Sequence, residues 1–313
     1  IDNCSFSHSS IESFHIPSQV KYIGKNAFSS CLNLQSIEIP NDSELQTIDR
    51  FAFSGINLKS FTIPSKLIDL NDGWCYCNWH LNQININPEN KLFKFIDNKF
   101  LVKNNNILVF CVKNIESVII PCFFEHIASF TFADCKSLKK IEFEKNSKLQ
   151  TIEESAFCGS SIESIEISSG VIDIKENAFL DLEKLKKISF DPSNPRYYGH
   201  DEKMIIGKSK IESDDYDCLL FCIQSVKNVI IPDSIKQIGP YSFCRSLIES
   251  ITIPSEVTVI EKKAFYDCKN LQQIEFAKNS KLQIIENGVF NGTSIKSIII
   301  PPEVKKIGKK AFY

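Results

Sequence analysis

An apolar residue returns at one fixed register along this chain, and that recurrence limits what the chain can fold into more than any other feature. From Phe14 it falls at Ile37, Phe61, Ile84, Val118, Ile141, Ile165, Ile188, Val229, Ile251, Ile274 and Ile298, with most steps 22 to 24 residues long. A period of that size signals stacked coils, each of which can cover its apolar side chains only by lying against the next. Inside the step the pattern is constant: Ile-x-Ile-Pro, an apolar-x-x-Ile pair, Ala-Phe, often Cys three residues later, then Leu. One coil reads Ile16-Pro17, Val20, Ile23-Gly24, Ala27-Phe28, Cys31, Leu34, and a distant one repeats it as Ile253-Pro254, Val257, Ile260, Ala264-Phe265, Cys268, Leu271.

A chain of 313 residues exceeds what one compact core usually supports, about 250–300 residues, so length alone leaves two domains or one array open. The repeat favours one array over residues 1–313. Leu34, Ile37 and Ile39 hold relative positions 1, 4 and 6, the strand signature of a leucine-rich repeat. The expected fold class is therefore an α/β repeat solenoid, a right-handed leucine-rich-repeat superhelix with a parallel concave β-sheet, short helical turns on the convex side and two β-hairpin insertions. Ile16, Ile39, Ile63, Ile86, Ile120, Phe143, Ile167, Phe190, Ile231, Ile253, Phe276 and Ile300 should form one buried column, and the Phe of Ala-Phe (Phe28, Phe53, Phe132, Phe157, Phe179, Phe243, Phe265, Phe290) a second. Ile298–Tyr313 begins a coil that the chain does not finish, so a piece of a longer solenoid is expected, with any signal peptide or membrane anchor outside it.

Two steps are long: Ile84 to Val118 is 34 residues and Ile188 to Val229 is 41. The two insertions match each other as Asn87-Pro88 with Asp191-Pro192, Asn90 with Asn194, Phe93 with Tyr197, and Phe110-Cys111 with Phe221-Cys222. They define islands at about 87–117 and 191–228, each predicted to carry a hairpin because apolar runs flank a polar stretch.

The motif Cys-x-x-Leu-x-x-Ile-x-Ile-Pro-x-x-Val-x-x-Ile-Gly-x-x-Ala-Phe resembles the treponemal-type leucine-rich repeats of BspA-like surface proteins, over nearly the whole chain and including the islands. The resemblance implies a protein on the cell surface or secreted, attached to host extracellular-matrix or cell-surface proteins. Departures lie at Asn78 and Leu182, where other coils have Cys, and at Cys75, which replaces the Phe of the third coil and predicts local distortion there.

Composition narrows the function further. Lys plus Arg at 36 against Asp plus Glu at 38 gives a net charge of -2, which offers no field for nucleic acid or an anionic membrane. No run approaches the ~18–20 apolar residues that span a bilayer. Cys31, Cys135 and Cys268 share one register in well-separated coils, too far apart for a disulfide, and read as small buried hydrophobes. Cys75-x-Cys77 near His80 lacks a second ligand pair, so neither a metal nor a cofactor is expected. His8, His15, His80, His126 and His200 have no repeated nucleophile or carboxylate partner, Gly24, Gly239 and Gly308 are single turn residues rather than a phosphate loop, and no catalytic site is expected.

What remains is surface. Between the inward positions of the strands lie Glu38, Thr62, Ile119, Glu142, Glu166, Ile230, Thr252 and Glu275, with Ile299 at the last register. A small, polar, mildly acidic face of this kind reads either as a solvated sheet or as a protein contact, the outward Ile119, Ile230 and Ile299 favouring contact. Phe93, Tyr197 and Tyr198 of the islands are a second candidate surface, or else hairpin anchors. Asn3-Cys4-Ser5, Asn41-Asp42-Ser43 and Asn291-Gly292-Thr293 fit the glycosylation acceptor pattern. Two functions follow: a cell-surface adhesion or recognition module that binds proteins through the sheet and islands, or an intracellular structural scaffold without a host ligand.

Overall fold

A computed structural model of the chain describes residues 1–210 and 212–313. They form two compact units interleaved in sequence: Ile1–Leu138, Glu144–Ser160 and Asp173–Ala178 in the first, and Lys139–Phe143, Ser161–Ile172 and Phe179–Tyr313 in the second.

Each unit is built from two kinds of parallel ladder, because most coils lend one short strand to each. In the first unit Ser13–His15 pairs with Ser36–Glu38, and Ser60–Ile63 with Gln83–Ile86, in the register Phe61↔Ile84 that the repeat dictates. Its second ladder runs through Tyr22–Ile23, Thr47–Ile48 and Asp69–Leu70, and again through His126–Ile127, Thr151–Ile152 and Asp173–Ile174. The second unit repeats the scheme. Lys140–Phe143, Ser164–Ile167 and Lys187–Phe190 form one sheet, Ser250–Ile253 pairs with Gln273–Phe276, and Gln237–Ile238, Val259–Ile260, Ile284–Ile285 and Lys306–Ile307 form the second ladder.

The wall that carries Ala-Phe departs from expectation: among the described residues there is no helix, and the class is all-β rather than α/β. The backbone explains why. Residues four apart sit in the left-handed region in coil after coil: Asn26 and Ser30, Phe51 and Gly55, Ser155 and Gly159, Lys263 and Asp267, Gly288 and Gly292. A left-handed residue at every fourth position ends any right-handed turn before it can propagate. It also aims alternate amides along the stack. Asn26, Phe28 and Ser30 donate to the Arg50, Ala52 and Ser54 carbonyls at 3.1, 2.8 and 2.8 Å, and Lys263, Phe265 and Asp267 donate to Asn287, Val289 and Asn291 at 3.0, 3.0 and 2.8 Å. The result is a ladder of tight turns in place of helices.

That ladder sets the phenylalanine spacing. Phe28 and Phe53 stack with ring centroids 5.3 Å apart, Phe132 and Phe157 at 5.3 Å, Phe243 and Phe265 at 4.9 Å, and Phe265 and Phe290 at 5.4 Å. All eight phenylalanines of the expected column are buried. The third coil is not distorted: Phe53 and Gly55 still donate to the Trp74 and Tyr76 carbonyls, and Gly73 and Cys77 are left-handed. Large and small have exchanged places, with Trp74 at the Ala position filling the core beside Phe61 at 4.9 Å and Cys75 at the Phe position. The Ile-Gly glycines are not left-handed turn residues either. A Cβ on Gly24 would lie 2.6 Å from the Asn3 backbone nitrogen, and one on Gly308 2.5 Å from that of Asn287, so the neighbouring coil's backbone requires glycine there.

The other expected column is only partly closed. Ile16, Ile63, Ile167 and Ile253 are fully buried, whereas Ile39, Phe143 and Phe276 are half-buried. Each of these three opens a 24-residue step, and there the sheet loosens. Ser36–Glu38 has no ladder to Ser60–Ile63, Lys140–Phe143 meets Ser164–Ile167 at one residue pair, and Gln273–Phe276 has no strand beyond it.

Each island is a three-stranded antiparallel meander, one strand more than the sequence pattern suggests. Phe93–Ile96, Phe100–Lys103 and Ile107–Cys111 form the first, and Tyr197–His200, Met204–Gly207 and Cys218–Cys222 the second. Their matched asparagines do matched work. The Asn90 amide donates to the Pro64 and Leu67 carbonyls and its oxygen accepts from Leu92 and Phe93, while Asn194 does the same with Ser168, Val171, Arg196 and Tyr197. An island lacks the turn whose amides would continue the turn ladder, and a side chain substitutes for them. Buried Lys113 donates to the Thr131 and Ala133 carbonyls at 3.1 and 2.9 Å, and at the corresponding place Gln224 donates to Cys244 at 2.8 Å.

Two outcomes follow from the turn wall. Ser30→Gly relieves a left-handed non-glycine residue and should raise the thermal midpoint, by roughly 0.5–1 kcal/mol of stability, whereas a helix there would lose about 1 kcal/mol to glycine. Lys113→Met leaves two buried carbonyls unmet and should cost about 2–4 kcal/mol in urea denaturation, with Lys113→Gln, the side chain found at position 224, recovering part of the loss.

Candidate interaction surface

The strand register places the sequence candidates in two separate groups. Glu38, Thr62 and Ile119 belong to the first unit and Glu142, Glu166, Ile230, Thr252 and Glu275 to the second. In a strand, the residue between two inward positions faces the other side of the sheet. Accordingly Glu38, Glu142, Glu166, Thr252 and Glu275 are exposed, and Thr62 is half-buried between Phe61 and Ile63. Thr252 lies directly beside Glu275, and Glu166 beside Ser189.

The acidic side chains have local partners. Glu38 pairs with His15 at 3.2 Å and Glu142 with Lys140 at 2.7 Å, while Glu275 accepts from the Gln273 amide at 2.7 Å. Pairs this exposed contribute little to stability and remain available to an incoming partner. The apolar positions stand out more. Ile119 is 57% exposed, Ile230 86% and Ile299 89%, so that the last two stand almost wholly in water. Ile230 and Ile299 lie on segments, 228–231 and 297–300, that run beside the sheet without a strand assignment.

Two of the island aromatics leave the candidate surface. Phe93 and Tyr197 are 2% and 3% exposed, pinned at the first strand of each meander by the asparagine clasp described above. They are anchors that seat the first strand of each meander, alongside other buried side chains such as Phe110 in the first meander and Phe221 in the second. Tyr198, the neighbour on the opposite face of the strand, is half-buried edge-to-face against Tyr216 with centroids 5.0 Å apart.

Two clefts were not foreseen, and both lie in the second unit. One, of about 1260 Å³, separates Gln272–Lys281 from Lys296–Glu303. A smaller one of about 530 Å³ separates Asn228–Ile231 from Ser250–Thr252. Both lie where the sheet is open, and the only trace in the sequence is the irregular step on either side.

Most of the thiols are buried. All twelve cysteines are unpaired. Burial stabilises the neutral thiol and pushes Cys75, Cys77, Cys222 and Cys244 up to about 12, with Cys77 also donating to Asp134 Oδ2 at 3.2 Å. No group of three His, Cys, Asp or Glu side chains among the described residues is placed to hold a metal ion.

Parallel ladders of short strands, repeated coil after coil within each unit, define a repeat protein. The BspA type leucine rich repeat region matches residues 1–107, 105–202 and 203–313, in 6 copies, and the chain belongs to this family. No curated protein matches it. Among solved structures it is similar to the pneumococcal vaccine antigen PcpA, at 20% identity and a TM-score of 0.61 over 95% of this chain and 68% of that one. It is also similar to a leucine rich cell surface protein of Faecalibacterium prausnitzii (23%, TM-score 0.54, 98% and 72% covered) and a leucine-rich repeat protein of Eubacterium ventriosum (21%, 0.61, 95% and 86%). At these identities the likeness is one of fold.

Raised thiol pKa values have a direct consequence for reactivity, since only the thiolate attacks. At pH 8 a disulfide reagent should modify exposed Cys4 in the native protein and reach Cys75, Cys222 and Cys244 only on unfolding; rapid native labelling of Cys222 would contradict its burial.

Proposed function

We propose that this chain is an adhesion or recognition module, carried on the cell surface or secreted, that binds host or partner proteins through the outward face of its sheet, with the islands as rigid supports and the whole of residues 1–313 acting as one solenoid. The observation that carries the reading is the exposure of Ile119, Ile230 and Ile299 among polar and acidic neighbours. Apolar centres inside a polar rim are what a protein partner can desolvate with gain. Membership of the BspA type family agrees with it, and the relative from Faecalibacterium prausnitzii is itself described as a cell surface protein. In this reading the partners are proteins, among them host extracellular-matrix or cell-surface proteins, and neither a cofactor nor a nucleic acid takes part.

One observation favours the second reading, an intracellular scaffold: twelve cysteines stand without a single disulfide, a state normal in a reducing compartment and unusual outside it. Their burial protects most of them from oxidation, which keeps the first reading ahead. Protease shaving of intact cells decides the compartment, because only a surface protein is removed.

Surface plasmon resonance against purified matrix proteins tests the contact. Glu142→Lys, Glu166→Lys and Ile230→Arg together should weaken capture by about tenfold or more, while Lys309→Glu on the turn wall should leave it unchanged. Equal capture by the triple variant would remove the sheet face from the reading.

A further inference from the structure

The larger cleft has the attributes of a missing strand. Gln273–Phe276 is paired on one side by Ser250–Ile253 and on the other by nothing, although the next coil supplies Ser297–Ile300 at the right register. The chain is tied at both ends of this gap. Ser294 donates to the Leu271 carbonyl at 3.0 Å before it, and Lys305 to Gln283 at 2.8 Å after it, yet the amides from Ile295 to Ile300 make no backbone hydrogen bond. The turn wall of the same coils is closed, with Phe265 donating to Val289 and Phe290 to Ala311. One wall is therefore in contact while the sheet between the ties stands apart.

Two kinds of chemistry line the gap. On the inward side Phe276, Ile298 and Ile300 are half-buried, whereas Ile251 and Ile253, their counterparts in a closed rung, are 4% and 0% exposed. On the outward side Glu275 and Glu303 have no ion pair among the described residues, while Lys281 is held by Glu256 at 2.7 Å and Lys296 alone stays free. Unpaired carboxylates thus outnumber unpaired cations at the rim. The volume, about 1260 Å³, exceeds the roughly 300–1,000 Å³ that suits a small organic ligand.

We propose that this slot takes up one extended segment of a partner protein, which enters as an extra parallel or antiparallel rung between Gln273–Phe276 and Ser297–Ile300. Such strand addition draws affinity from main-chain hydrogen bonds and selectivity from alternate side chains. The length set by the free edge is four to six residues, and the sequence it selects alternates apolar residues, pointing toward Phe276 and Ile298, with Lys or Arg pointing toward Glu275 and Glu303. The proposal rests on the reading of the chain as a protein-binding module and names the form in which that partner is bound.

The test uses the 313-residue chain and the probe peptide acetyl-(Lys-Val)3-amide, with two derivatives N-methylated at the Val or at the Lys nitrogens and an acetyl-(Glu-Val)3-amide control. The parent peptide should bind saturably below about 1 mM, and each N-methylated form should bind about tenfold more weakly, because an inserted strand uses both of its edges. Glu275→Lys with Glu303→Lys, both exposed positions, should reverse the preference between the Lys and Glu peptides. Hydrogen exchange should show new protection at amides within Gln273–Phe276 and Ser297–Ile300. Absence of saturable binding, N-methylated peptides as good as the parent, or protection confined to other segments would each overturn the slot. Peptide binding with these signatures supports it whatever the outcome of matrix-protein capture, so the two readings fail separately.

Discussion

The structure depends on a hydrogen bond that runs from one coil to the next through the turn wall. Three amides per turn, as in Asn26, Phe28 and Ser30, leave their own coil and reach carbonyls of the neighbour. They can do so only because two residues per turn are left-handed, at a cost of about 1–2 kcal/mol for each that is not glycine. Each inter-coil bond returns about 0.5–1.5 kcal/mol, and each stacked phenylalanine about 1.5–3 kcal/mol when the neighbouring ring covers it. Neither gain exists for a lone coil. Strain is therefore local and its compensation collective, which ties stability to stacking and makes the coil count, rather than any one contact, the quantity that matters.

Where the turn wall cannot continue, the chain supplies a replacement instead of leaving carbonyls bare. Lys113 and Gln224 occupy equivalent places after the two meanders and present side-chain donors to the first turn beyond them. A lysine reaches two carbonyls and a glutamine one, and in the second island the Cys222 amide meets the remaining carbonyl, that of Ser242, at 2.8 Å. The islands thus interrupt the repeat while still meeting carbonyls of the turn that follows them. Beside the three 24-residue steps the turn wall is bonded, and the slack appears on the opposite side, at Ile39, Phe143 and Phe276.

Much of this was legible in the sequence. The period located the strands of the main sheet but not those of the second ladder, and the alternation within Phe61-Thr62-Ile63 or Ile251-Thr252-Ile253 gave the inward and outward sides, because a strand has no choice but to alternate. The Phe column was legible for the same reason. The helical turns were not, since Ala-Phe followed by polar residues matches helix propensity and says nothing of the residues flanking it. The signal lay in those flanks, where Asn26, Gly55, Gly73, Asp134, Gly159, Asn177, Asp267, Gly288 and Gly292 are residue types that tolerate a left-handed backbone. Phe93 and Tyr197 could not be sorted between anchor and contact, because that depends on the clasp made by Asn90 and Asn194 with coils 23 to 26 residues earlier. Nor could the clefts be placed, as an irregular step, 24 residues at one cleft and 22 at the other, does not reveal which wall will yield.

The exposed isoleucines take on a different meaning beside these openings. Ile230 and Ile299 face water in segments that have lost their rung partners, and each borders a cleft. A closed parallel sheet offers a partner only side chains, since its backbone groups are already used; an opened one offers side chains and main chain together. Recognition by side chains alone would distribute affinity over a flat acidic face, where ion pairs such as Lys140 with Glu142 contribute little. Recognition at an opening concentrates apolar burial, backbone bonding and charge at one place. It does so without unmaking any existing bond, because the turn wall already holds the coils that the occupant would join.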